Sequence, residues 1–163
     1  MKMRYLKQEF STSCGIACVA MLAAKKLRKI PLKERHQKVI DKAKEILNRD
    51  FNKTNSYTTR SEIRKLLKAF KVNWHGHFNP IKQNHQSQKN FWKELKGTYL
   101  VAVKFHIKNE EEYWHWIIAI QSKNKLKILD PNPKKRISCI DLTKNNIPDQ
   151  RSYKNAKWFL KIV

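Results

Sequence analysis

Cys14 stands immediately before Gly15, at the head of an apolar run that extends to Leu27. A helix beginning there would surround the thiol with unpaired backbone N–H groups and the positive end of the helix dipole, and both favour a thiolate. That placement suits a nucleophile. Position alone favours a plainer reading, a small apolar side chain packed in a core, as cysteines commonly are. His115 shifts the balance because it interrupts the run Trp114-His115-Trp116-Ile117-Ile118-Ala119-Ile120, where a polar ring needs a reason. A solitary strand histidine is ordinarily a satisfied core group, but Asp130 closes the next apolar run fifteen residues later, directly before Pro131. A hairpin of that length can set the carboxylate beside the imidazole, making one a base and the other its orienter. Gln8, six residues before Cys14, completes the set, since a side-chain amide can join the Cys14 N–H in holding a developing oxyanion. Alone it would read as a solvated loop residue.

These residues and their neighbours resemble the bacteriocin-processing, double-glycine leader peptidases and their stand-alone relatives among the papain-like cysteine peptidases. The likeness is carried by Gln8-Glu9-Phe10-Ser11-Thr12-Ser13-Cys14-Gly15, by Ala17-Cys18-Val19-Ala20-Met21-Leu22, by His115-Trp116-Ile117-Ile118 and by Leu129-Asp130-Pro131. It extends weakly over 58–72 and Trp158-Phe159-Leu160, so it covers most of the chain. The resemblance implies a bacterial thiol protease with Cys14 as nucleophile, His115 as general base and acid, Asp130 as orienter and Gln8 as oxyanion donor. It implies no metal and no cofactor, and a peptide or protein substrate cut after Gly-Gly. Ser13 stands where the family usually has an acidic residue, the helical segment between Ile30 and Tyr57 is longer than expected, and 81–96 reads as an insertion.

The elements that must position these groups follow from periodicity. Cys14 to Leu27 is apolar nearly all round, which predicts a central, buried helix. A second helix is expected over Leu32–Leu47, where Val39, Ala43, Ile46 and Leu47 recur at spacings of three and four. Asn48 to Tyr57 reads as a polar break. Thr59 followed by Glu62 fits a capping box, so a third helix should start there and bury Ile63, Leu66, Leu67 and Phe70. Strands are expected at Val72–Phe78, Tyr99–His106, Tyr113–Gln121, Leu126–Asp130 and Lys157–Val163, with a tight hairpin through Ser122-Lys123-Asn124-Lys125. A helical first half and a stranded second half predict an α+β, papain-like fold: one domain over residues 1–163, its Cys-bearing helix packed on a C-terminal antiparallel sheet.

Composition limits the alternatives. The chain has 163 residues and a net charge of +23, from 36 Lys+Arg against 13 Asp+Glu. With 40% hydrophobic residues it can still build a core. The charge must attract nucleic acid, anionic lipid or acidic protein, but 28 of the 36 basic residues are Lys rather than the bidentate Arg, and no nucleic-acid-binding motif accompanies them. Most ammonium groups are expected on solvated faces. No apolar run approaches the roughly 20 residues of a bilayer span, and Phe10 to Ala24 reads as mature chain rather than a secretion signal. The expected location is the bacterial cytoplasm, with a delivered effector as the alternative. Three cysteines leave at least one thiol free; Cys18 and Cys139 read as structural. His75, His77 and His85 make a poor metal set without a nearby carboxylate or thiol. Glu110-Glu111-Glu112 reads as a solvated turn, and Trp114 and Trp116 as packing residues on the face opposite His115. A basic binding module for nucleic acid or an acidic partner, on the same scaffold, is the competing class.

Overall fold

The computed structural model describes residues 3–80, 92, 96–105, 113–132, 137–141 and 156–163. Their contacts form two compact units, a helical one of Met1–Asn73 with Pro131–Arg136 and a sheet one of Trp74–Asp130 with Ile137–Val163.

In the helical unit, α1 (Cys14–Leu22) is buried on every side from Cys14 to Met21, as its all-round apolar sequence requires. It ends five residues earlier than the sequence predicts. At Ala23–Lys25 the chain tightens into a 3₁₀ turn, and the N–H groups of Lys26 and Leu27 both turn back to the Ala23 carbonyl. The turn lets Lys25 and Lys26 reach solvent while Leu27 stays buried, which a straight continuation of a fully buried helix would not allow.

A second 3₁₀ turn at Leu32–Glu34 leads into α2 (Arg35–Leu47), so the expected Leu32–Leu47 segment is helical throughout. Val39, Ile40 and Ala43 are its buried stripe, and Asn48 closes it in the left-handed region at φ 49°, a conformation that Asn tolerates well. α3 (Arg60–Ala69) opens with the capping box read from the sequence. Thr59 Oγ1 accepts from the Glu62 N–H at 3.3 Å, and Glu62 Oε2 accepts from the Thr59 N–H at 2.7 Å. Burial pushes the Glu62 carboxyl up, but the Thr59 N–H, the Arg49 guanidinium and the Thr59 hydroxyl outweigh it and hold the group below its ordinary value.

The expected polar break at Asn48 to Tyr57 is a largely exposed loop held in place by Arg49. Arg49 reaches Glu62 from Nε at 2.9 Å and Asn55 Oδ1 from Nη1 at 2.9 Å, and donates from Nη2 to the Tyr57 carbonyl. Its guanidinium also lies 4.1 Å from the centre of the buried Phe51 ring. One planar fork thus ties the loop to the start of α3.

The sheet unit is a six-stranded antiparallel sheet in the order β1-β6-β2-β3-β4-β5, comprising β1 (Trp74–Pro80), β2 (Gly97–Phe105), β3 (Tyr113–Ser122), β4 (Lys125–Leu129), β5 (Ile137–Asp141) and β6 (Ala156–Ile162). All five expected strands are present within a few residues. β5 is additional; its Ile-Ser-Cys-Ile-Asp alternation carries the signal, but the strand is short. β3 and β4 form the expected hairpin, with Ser122 paired to Lys125 and Lys123 at a positive φ of 55° in the turn. Val101, Val103, Ile117, Ala119, Leu126 and Ile128 gather with Trp92 and Tyr99 into the core of one face. Leu100, Ile118, Leu129 and Leu160, which alternate with them, are also fully or almost fully buried. Both faces of the central strands are therefore out of water, which explains why their sequences are continuously apolar.

α3 ends in a Schellman motif. The Lys71 N–H bonds to the Lys68 carbonyl, the Val72 N–H bonds to the Leu67 carbonyl, and Lys71 adopts φ 51°. Glycine is the residue this left-handed position favours. Lys71→Gly is expected to raise the unfolding free energy by about 0.5–1 kcal/mol, measured by urea denaturation; an unchanged or lowered midpoint would count against this reading of the helix end.

Candidate functional site

Two of the four expected site residues meet within the sheet unit. His115 Nε2 lies 2.7 Å from Asp130 Oδ1, with the ring nearly and the carboxylate wholly buried. The sheet register explains the pairing. β3 and β4 pair Ile118 with Leu129 and Ala119 with Ile128, so Asp130, one residue further along, falls on the side of Ile117, and His115 is the next residue on that face. A buried carboxylate accepts, so Nε2 carries the proton of the neutral ring and basicity resides on Nδ1.

Cys14 and Gln8 belong to the helical unit. Cys14 is the first residue of α1 and is only 5% exposed, and Ser13 is the N-cap. The first intrahelical bond runs from the Ala17 N–H to the Ser13 carbonyl at 3.0 Å, so the N–H groups of Cys14, Gly15 and Ile16 have no acceptor within the helix. Ser is a favoured capping residue, yet the Ser13 hydroxyl makes no cap bond to α1. It lies instead 3.0 Å from the Phe10 N, 3.0 Å from the Phe10 O and 3.0 Å from His36 Nε2. The helix start therefore keeps its positive dipole end uncapped by Ser13, with no acidic residue in the first turn.

The Gln8 backbone N–H donates to the carbonyl of Pro131, the residue that follows Asp130 in the chain, at 2.9 Å. Its side-chain Nε2 donates to the carbonyls of Phe10 at 2.9 Å and Ser11 at 2.7 Å, while Oε1 is buried with no hydrogen-bond partner among the described residues. Both amide hydrogens are thus engaged in the 8–11 turn.

The sequence reading missed two supports of this segment, His36 and Ser56. His36, fully buried in α2, joins Ser13 through Nε2 and faces Glu9 Oε2 from Nδ1 at 3.4 Å. Its place three and four residues before Val39 and Ile40, on the buried stripe, was the available signal. Thr12 Oγ1 lies 2.7 Å from Ser56 Oγ and accepts from the Ser56 N–H at 3.2 Å, which ties the 48–59 loop to the residues preceding Cys14; no periodicity announces that contact.

Other expectations change. Cys139 is exposed on β5 rather than structural, whereas Cys18 is fully buried as expected. Trp116 packs against Phe78 at 5.3 Å, but Trp114 is 45% exposed near the strand's beginning. His75 and His77 flank Gly76, whose φ of 68° and the accompanying register shift in β1 break the alternation that would put them on one face. Among the described residues no group of three His, Cys, Asp or Glu side chains is arranged to hold a metal ion, and no helix is long and apolar enough to cross a membrane. His85, Glu110-Glu111-Glu112 and most of the 81–96 insertion lie outside the described residues.

Comparison with known proteins bears first on the fold. The structure is similar to the peptidase domain of Streptococcus ComA, a bifunctional ABC transporter involved in quorum sensing, with a TM-score of 0.55 and 15% sequence identity over 98% of this chain and 96% of that one. The α+β architecture is therefore that of a known peptidase domain. No protein-family model matches the chain. In sequence it is similar to an RNA polymerase subunit alpha of Euglena anabaena, 29% identical over 112 residues, and it spans about half the length of that relative.

Burial holds His36 below its ordinary value of 6.5, against the opposing pull of the Glu9 carboxylate. The unfolded chain then binds the extra proton first as pH falls, so this contribution to stability is full above about 6.5 and is lost as pH falls toward the folded value. Urea midpoints are expected to decline across that window in the parent protein and to decline less in His36→Gln. Equal slopes in the two proteins would refute the assignment.

Proposed function

We propose that this chain is a papain-like cysteine peptidase, one domain over residues 1–163, with Cys14 as nucleophile, His115 as general base and acid, Asp130 as the orienter of His115, and Gln8 together with the Cys14 N–H as oxyanion donors. The observation that carries the reading is the buried 2.7 Å bond between His115 Nε2 and Asp130 Oδ1. The pair lies among apolar neighbours such as Val103, Ile117 and Leu129, and burying a carboxylate there is costly unless it is paired. The start of α1 supports the same reading, since Cys14 is the first residue of the helix, where the N-terminal end of the dipole favours negative charge developing in an attack.

The chemistry follows in two steps. The Cys14 thiolate attacks the scissile carbonyl, and the negative charge develops on its oxygen beside the donors. The tetrahedral adduct collapses, the C–N bond breaks, and the imidazolium of His115 protonates the departing amine, leaving a thioester on Cys14. His115 then takes a proton from water, the hydroxide attacks the thioester, and the thiolate leaves as the acid product is released. Peptide and water become a carboxylate and an amine, with no metal or cofactor required by these steps. The proposed substrate is a peptide cleaved after Gly-Gly, as the family resemblance implies and as suits a fold like that of a transporter's peptidase domain. A delivered hydrolase acting on another protein shares the same chemistry.

A basic binding module on the same scaffold is the second reading, and the net charge of +23 favours it. It requires binding to nucleic acid or acidic protein that is steeply salt-dependent and indifferent to Cys14→Ala.

Cys14→Ala is expected to lower turnover of a Gly-Gly peptide by at least about a thousandfold with the circular dichroism unchanged. A thiol-directed peptidase probe should label Cys14 in the parent protein; a folded parent whose Cys14 resists the probe would sink the peptidase reading. Asp130→Ala is expected to cost roughly a hundredfold in kcat, while Asp130→Asn should stay within about tenfold of the parent, because an amide oxygen still accepts from Nε2–H as in Cys-His-Asn sites. Equal losses in the two variants would argue against an orienting role.

A further inference from the structure

Residues 10–33 contain no Asp or Glu, yet the last nine of them, Lys25-Lys26-Leu27-Arg28-Lys29-Ile30-Pro31-Leu32-Lys33, carry five cations. All five of these side chains are exposed, and none makes an ion pair among the described residues. We propose that this cationic turn, which follows the carboxyl end of α1, is a docking surface for an anionic lipid bilayer. The proposal stands apart from the peptidase reading, since it uses no residue of the proposed site.

Like charges gathered this closely repel one another, and the folded state bears that repulsion unless a counter-charge answers it. Elsewhere in the helical unit carboxylates give the answer: Lys42 lies against Glu45, and Arg49 against Glu62. At 25–33 no carboxylate does. The dipole of α1 accounts for a cation or two beside its last carbonyls, because its effect fades within one turn. It does not account for five over nine residues, so the matching negative charge has to come from outside the unit.

The backbone holds the turn in one shape before any partner arrives. The Lys26 and Leu27 N–H groups bond to the Ala23 carbonyl, the Ile30 N–H to the Leu27 carbonyl, the Glu34 N–H to the Pro31 carbonyl, and Arg35 Nε to the Ile30 carbonyl, while the buried Leu27 side chain anchors the middle. Docking therefore costs little ordering of the chain. Beside the cations stand Ile30 and Leu32, both half-buried, and the exposed Pro31. Aliphatic groups set among ammonium groups suit the boundary between lipid headgroups and acyl chains, where each finds its own surroundings. Nucleic acid is the poorer fit: four of the five cations are Lys, and 25–33 holds no aromatic ring on which a base could stack. The turn begins beyond Leu22, which lies about 12 Å along α1 from Cys14 at the usual helical rise. Docking there leaves the thiol end of the helix uncovered.

The experiment titrates the full chain with phosphatidylcholine vesicles containing about one-third phosphatidylglycerol, and with pure phosphatidylcholine vesicles, reading the bound fraction by co-sedimentation at about 0.15 M salt. The parent should bind the anionic vesicles and leave the neutral ones. Lys25→Gln, Lys26→Gln and Lys29→Gln combined in one chain should lower the partition coefficient about a hundredfold, roughly fivefold per lysine. Lys53→Gln, Lys65→Gln and Lys68→Gln combined remove the same charge from other exposed positions of the unit and should cost less than about tenfold. Circular dichroism checks that both variants keep the fold. A parent that ignores anionic vesicles, or equal losses in the two variants, overturns the proposal. So does a single-stranded oligonucleotide whose affinity falls further than that of the vesicles in the first variant, since the turn would then belong to nucleic acid. None of these readings depends on turnover or on labelling of Cys14, by which the peptidase reading stands or falls.

Discussion

A fully buried carboxylate has to be answered by a proton donor, and the Asp130–His115 bond is the interaction on which the functional reading of this molecule depends. Left unpaired, Asp130 would cost several kcal/mol in the sheet interior. The pair exists because β3 and β4 are locked in one register by continuous apolar sequence and by a two-residue turn. A slip of one residue would rotate His115 to the opposite face of the sheet and strand both groups. The same burial that stabilises the sheet therefore holds the imidazole in one orientation and one tautomer.

The helical unit solves a different problem with the same means. α1 is so apolar that it is buried all round, and this puts its first residue, Cys14, at the end of a segment with no freedom to fray. The residues before it are held by side chains from elsewhere in the unit: Ser13 by His36, and Thr12 by Ser56. Because the Ser13 hydroxyl is spent on these contacts and on Phe10, it does not cap the helix. The residue before Cys14 is thus a hydroxyl linked to a buried imidazole.

Local pattern predicted the elements well where one physical cause acts within a few residues. The capping box at Thr59 and Glu62, the helical course of α2 and the hairpin at 122–125 each arise from neighbours in sequence and are found as expected, although the buried stripe of α2 is Val39, Ile40 and Ala43 with Ile46 and Leu47 only half-buried. It predicted poorly where distant groups decide. α1 stops at Leu22 because two lysines must reach water, the 48–59 segment is ordered by the reach of Arg49, and Trp114 is exposed although its neighbour Trp116 is packed. Gln8 shows what spacing does not reveal, since its amide hydrogens donate to the Phe10 and Ser11 carbonyls, contacts that only three-dimensional proximity creates.

By itself the chain of residues determined that there would be a buried helix headed by a cysteine, a strand interrupted by a histidine, and an α+β division between them, because apolar periodicity and turn chemistry act over short distances. Tertiary structure alone decided which of these groups are bonded: that His115 offers Nε2 to Asp130, that Ser13 turns to His36 instead of to its own helix, and that Cys139 lies open to solvent. Hydrogen bonds are directional and short-ranged, so their partners are fixed only when strand register and helix packing have brought remote atoms to within about 3 Å.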